Sequence, residues 1–238
     1  PDRSDYPQRL SAVLSVIYLV FNEGYSASSG PRWSRDELCS EALRLGRILA
    51  SLAPEEAEVH GLVALMEFQS SRLRARTGPD GTPILLEDQN RTRWDRAQIQ
   101  RGVAALEHAA KMLQRRGIGW GHYCLQAALA ECHAVAPTAA DTDWPRIVAL
   151  YDALLQLAPS PVVELNRAIA VAMADPVTGP SSALHTIDGI EGLGDSYLVP
   201  SVRGELLSRL GRTAEAAAEF ARAASLTDND RERDVLQD

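Results

Sequence analysis

The sequence predicts an all-α chain of paired helices, and three observations carry that expectation. Ala and Leu are abundant while aromatic residues make up only 5% of the 238 positions, a mixture that suits close helix packing better than strands. Apolar residues recur at three- and four-residue spacing over segments of about a dozen residues, broken by short Pro, Gly or Asp punctuation. Near the C-terminus, Ala183 and Ile187 lie 33 residues before Ala216 and Phe220, an interval typical of stacked helix pairs.

The first helix is carried by Leu10, Val13, Leu14, Ile17 and Phe21. Val16, Leu19 and Val20 occupy its other faces, so it is expected to be buried almost all round before ending at Asn22, Glu23, Gly24 and Tyr25. Ser34 is a candidate N-cap for a second helix with Asp36 and Glu37 in its first turn, running through Leu38, Ala42, Leu45 and Leu49 to about Leu52, where Pro54 stops it. Residues 55–76 read as a third helix, with Val59, Val63, Met66 and Leu73 inside and Arg72, Arg74 and Arg76 near its C-terminus, where cations favour the dipole. Residues 77–95 break the pattern, because Gly78, Pro79, Asp80 and Gly81 form a turn and Pro83 excludes a regular helix. Helical spacing resumes at Ala97 and halts at Gly117, Gly119 and Gly121. Further helices follow at 122–135, 144–157, 162–174, 181–190, 197–210 and 214–226.

Gly204, Leu207, Ala216, Phe220 and Ala223, with Gly211 in the turn, have the spacing of the tetratricopeptide repeat, from which Arg203 and Asp228 depart. Leu157, Ala158 and Pro159, like Leu52, Ala53 and Pro54, resemble repeat ends. The expected fold is therefore all-α, with tetratricopeptide-repeat-like helical hairpins forming an α-solenoid and one long irregular loop near 77–95. The expected organisation is a linker at 1–9, an N-terminal helical part at 10–136 containing the loop, and hairpins at 137–238, together one continuous domain. In this register Phe220 fills the groove between the last helix pair and the pair before it, and Glu219 faces water.

A net charge of −8 disfavours direct nucleic-acid binding. The apolar stretch from Ala12 to Phe21 is too short to span a bilayer, so no membrane association is expected. Small residues from Ser26 to Ser29 resemble a cleavage site, but Asn22 and Glu23 interrupt the segment, and the chain is expected to be cytoplasmic. Cys39, Cys124 and Cys132 read as reduced core thiols. Cys124 and Cys132 lie eight residues apart, and Cys132 and His133 are splayed on one helix, so no metal site is expected. In the loop starting at Asp88, Arg93 and Ile99 replace the Gly and Glu that calcium requires. No nucleotide motif, nucleophile elbow or triad is present, so neither a cofactor nor catalysis is expected.

A polar cluster remains in Asn22, Glu23, Tyr25, Glu87, Asp88, Gln89, Arg91, Arg93, Trp94 and Asp95. Two readings stay open. The cluster either lines a small-molecule pocket in which Arg93 and Trp94 clamp an anion or aromatic group, or it is an ion-paired plug stapling the loop onto the first helices.

Several segments carry a resemblance. Residues 16–25 read VIYLVFNEGY, residues 85–91 LLEDQNR and residues 93–95 RWD; Asp143 with Trp144, Leu150 to Asp152, Ser160 to Val163 and Leu165 to Ala168 add to them in order. Together they are similar to the C-terminal extension of extracytoplasmic-function RNA polymerase sigma factors that carry tetratricopeptide repeats. The resemblance implies regulation of transcription initiation in cis, with the factor's own N-terminal domains and RNA polymerase as partners. It supplies no catalytic residue, adds Asn166 and Arg167 to the candidate interaction residues, and implies that the first residues leave the promoter-reading domain.

Overall fold

The computed structural model describes residues 5–25, 35–79, 82, 84–194 and 196–227. Ten α-helices are described: α1 (Tyr6–Tyr25), α2 (Asp36–Leu52), α3 (Ala57–Ser70), α4 (Arg96–Arg116), α5 (His122–Val135), α6 (Trp144–Leu157), α7 (Pro161–Ala174), α8 (Gly179–Asp188), α9 (Leu198–Arg209) and α10 (Thr213–Leu226). No β-strand occurs among the described residues, so the all-α class holds. The chain divides into two compact units, Pro1–Asp141 and Thr142–Asp238.

In the first unit α1 packs on α2, α2 on α3, and α3 on both α4 and α5. That central place explains why α3 is apolar nearly all round, with Val59, Leu62, Leu65, Met66 and Phe68 all buried. Close packing is set by glycines: a Cβ at Gly61 would stand 2.7 Å from the Cys124 amide, and one at Gly102 would stand 2.7 Å from the Phe68 ring. Helix ends are closed by identifiable groups. Asp95 accepts from the Ala97 and Gln98 amides at the start of α4, and Gly117 ends that helix in the left-handed region at φ 64°. Gly121 has no side chain with which to cap α5, and Glu58 of α3 does so instead, accepting from the Tyr123 amide at 2.8 Å and the Cys124 amide at 3.1 Å.

Three expectations for this unit are corrected. Helix α1 is not buried all round: Leu14, Ile17, Phe21 and Gly24 face the core, while Val13, Val16 and Leu19 are exposed, Leu19 by 66%. The helix lies at the unit's edge, packed mainly on α2, so only one of its apolar faces is covered. It also begins at Tyr6, within the stretch expected to be a linker. Helix α3 stops at Ser70, and a short 3-10 turn, Leu73–Ala75, follows instead of a helix to residue 76. At the break the Ser71 hydroxyl donates to the Phe68 carbonyl and the Asp95 amide donates to the Ser71 carbonyl, tying the end of α3 to the distant loop. The expected N-cap Ser34 lies outside the described residues, as does Asp228.

In the second unit α6 packs on α7, α7 on α8, α8 on α9 and α9 on α10, with α7 also touching α9, the neighbour pattern of stacked hairpins. Leu165, Ala168, Ala183, Ile187, Leu206, Leu207 and Ala216 form one core. Asp143 caps α6 by accepting from the Arg146 amide, and Gly211 makes the α9 to α10 turn at φ 73°. Two expectations fail here as well. Phe220 is half-buried against Gly204 of its own hairpin. Glu219 does not face water; its carboxylate accepts from Arg203 at 2.8 Å and is only 18% exposed.

Candidate functional site: the polar edge of the first unit

Polar side chains of the first unit gather where α1, α3 and α5 end. Tyr25 closes α1, and two arginines from the chain after α3 converge on it. Arg76 donates to the Tyr25 carbonyl and lays its guanidinium 3.5 Å from the Tyr25 ring centroid. Arg72 donates to the Tyr25 hydroxyl at 2.7 Å. Phe21 stacks on that same Tyr25 ring, with 5.8 Å between centroids. The last carbonyls of a helix have no partner within it and carry partial negative charge, so a cation there is favoured. Burial lowers the pKa of Arg76, and the neighbouring Arg72 charge lowers it further against the opposing pull of Tyr25.

The irregular loop is fastened to the end of α5 by Arg91. Its Nη1 donates to the His133 carbonyl at 2.5 Å and the Ala136 carbonyl at 2.9 Å, and its guanidinium lies 4.5 Å over the Trp94 ring. Asn90 shapes a 3-10 turn, Arg91–Arg93, by accepting from the Thr92 amide, while Gln89 donates to the Ile84 carbonyl. Gln89, Arg91 and Trp94 are buried; Glu87, Asp88, Arg93 and Asp95 are exposed. Arg91 therefore takes the place beside Trp94 that the sequence assigns to Arg93. Asn22 and Glu23 are half-buried on α1, with Glu23 3.4 Å from Arg35, and Asp95 is the cap of α4. Asn166 and Arg167 belong to the second unit, where Arg167 donates to Asp152 of α6 at 2.5 Å.

Local spacing misses several further groups of the first unit, some of them nearer the start of α5. Tyr18 donates to Gln126 Oε1 at 3.1 Å, and Gln126 Nε2 lies 2.6 Å from His122 Nε2. Tyr18 also meets the Tyr123 ring edge-on at 5.6 Å. His133 has its pKa lowered to about 4, by burial first and then by Arg72 and Arg91, so it is a neutral imidazole at pH 7. Arg72 and Arg76, four residues apart, carry the one sequence signal that points here. Deeper inside, Glu67 of α3 is buried and its Oε1 accepts from Arg47 of α2 and Arg101 of α4.

The edge is rich in donors: guanidiniums, phenols and a neutral imidazole are suited to holding an anion or a carbonyl. The two thiols with shifted pKa are held as thiols, since burial pushes Cys39 up to about 12 and raises Cys124 as well. Among the described residues no three His, Cys, Asp or Glu side chains group as metal ligands would.

Residues 9–110 match a family described as a family of unknown function, DUF6596. An uncharacterized protein of Rhizobium meliloti (strain 1021) is 46% identical over 230 residues, which is 96% of this chain and 52% of that protein. The chain thus spans about half the length of the curated relative it matches. No solved structure matches.

Proposed function

We propose that the chain is a non-catalytic regulatory module: the C-terminal extension of an extracytoplasmic-function sigma factor, controlling transcription initiation in cis through contacts with the sigma regions or RNA polymerase. The observation that carries this reading is coverage. A relative 46% identical across nearly the whole chain is about twice as long, so there this sequence stands beside a second segment in one polypeptide. The motifs in 16–25, 85–91 and 93–95 supply, by resemblance, the kind of segment that precedes it.

Two physical features support docking. The net charge of −8 attracts the basic surfaces of DNA-contacting domains. Val13, Val16 and Leu19 form an exposed apolar row on α1, the kind of surface that marks a protein contact. A cytoplasmic location follows from this reading, and direct contact with DNA does not. The experiment is reconstituted transcription with polymerase and a sigma factor of this class lacking its extension. Adding the chain should change transcript yield in a saturable way; an unchanged yield at every concentration contradicts the proposal.

A further inference from the structure

Arg72 differs from the other partly buried arginines in what it leaves unused. Arg47 and Arg101 share Glu67, Arg167 holds Asp152, and Arg203 holds Asp188 and Glu219. Arg91 is committed to two backbone carbonyls. Arg72 directs one donor to the Tyr25 hydroxyl and, among the described residues, pairs with no carboxylate, although a guanidinium carries five N–H donors. The hydroxyl that accepts from Arg72 still has its own proton to give.

The surroundings concentrate positive charge in a chain that is acidic overall. Arg72 sits close enough to Arg76, Arg91 and His133 to disfavour the charged form of each, and Arg96 adds to the effect on Arg91. Asp36 near Arg76 and Asp141 near Arg91 offset this only in part. Like charges held together at a half-buried edge are relieved by an incoming anion.

We propose that Arg72 and the Tyr25 hydroxyl form a binding site for a carboxylate. A planar fork of N–H donors beside one O–H donor matches the two oxygens of a carboxylate and one unit of negative charge. A phosphate dianion needs a second available cation, and Arg76 and Arg91 are turned to helix-end carbonyls. The carboxylate comes either from an acidic polypeptide or from a free small acid. This site stands whether or not sigma regions dock on the chain.

The test is calorimetric titration of the full chain at constant ionic strength with three probes: succinate, an end-blocked peptide containing Asp, and inorganic phosphate. Saturable binding of succinate supports a free acid as the source, and saturable binding of the peptide alone supports a polypeptide. Arg72→Gln should weaken the binding about tenfold or more while circular dichroism shows the fold retained. Tyr25→Phe, which keeps the ring under Arg76, is the second variant should Arg72→Gln not fold; it should weaken the same probe several-fold. Three results overturn the proposal: no binding of either carboxylate probe, tighter binding of phosphate than of both, or carboxylate binding that a folded variant leaves unchanged.

Discussion

The ring of Phe220 covers Gly204: a Cβ at position 204 would stand 2.6 Å from Phe220 Cε1. This small-against-aromatic pair lets α9 and α10 approach closely, and it sits inside one hairpin because α10 packs chiefly on α9. Gly204→Val should therefore destabilise the second unit by about 1–3 kcal/mol through overpacking. Phe220→Ala should cost about 2 kcal/mol, below the range for a fully buried ring because part of its surface already faces water. Phe220→Leu should lessen the damage of Gly204→Val, and strict additivity in thermal unfolding would show that the two positions do not press on each other.

Glu67 is the buried anion between two half-exposed arginines. Glu67→Ala should cost roughly 2–4 kcal/mol in urea unfolding, because it removes the charge both cations face and opens a gap in α3. Arg47→Ala alone should cost about 1 kcal/mol or less, since Arg101 still neutralises the carboxylate. Equal losses in the two variants would mean that the pairing contributes little beyond side-chain packing.

Glu58 closes α5 from a neighbouring helix. Glu58→Gln keeps the size but loses the charge, and Glu58→Ala loses both; the alanine variant should cost about 1 kcal/mol, as other helix caps do. Hydrogen exchange should speed up first at the Tyr123 and Cys124 amides. Unchanged protection there would show that water replaces the carboxylate without loss.

His133 makes stability depend on pH. Its folded pKa is lowered to about 4, so between that value and its ordinary 6.5 the unfolded chain binds the extra proton. Its contribution is full above pH 6.5 and is lost as pH falls toward 4, a change on the order of 3 kcal/mol. His133→Gln should flatten the difference in unfolding free energy between pH 7 and pH 4.5 relative to the parent chain. An identical pH profile would mean that His133 is free to charge in the folded protein.

The helices were legible wherever apolar spacing met clear punctuation. Residues 122–135 and 144–157 are bounded by glycines, a Pro and an Asp cap, and both form helices with those limits. The spacing in α1 was equally clear but silent on what covers each face, because periodicity records which residues are apolar and not which neighbours arrive. The end of α3 is not legible in the sequence because Arg72, Arg74 and Arg76 suit a helix terminus, while the Asp95 amide, far along the chain, bonds to the Ser71 carbonyl at the break. The polar edge is non-local in the same way. Tyr25 and Arg72 are 47 residues apart, and Arg91 and His133 are 42 apart. Arg91 and Arg93 look alike in sequence, and the turn capped by Asn90 decides which one meets Trp94.

Docking onto sigma regions is tested most directly by titrating the purified chain against the separately purified polymerase- and promoter-binding domains of a sigma factor of this class, at low and at raised salt. Regulation in cis by an acidic helical module predicts saturable binding that weakens as salt screens the opposite charges. It also predicts further loss when Val16 and Leu19 on α1 are both changed to Ser in a chain that remains folded. No binding at low salt, with both partners folded, would contradict it.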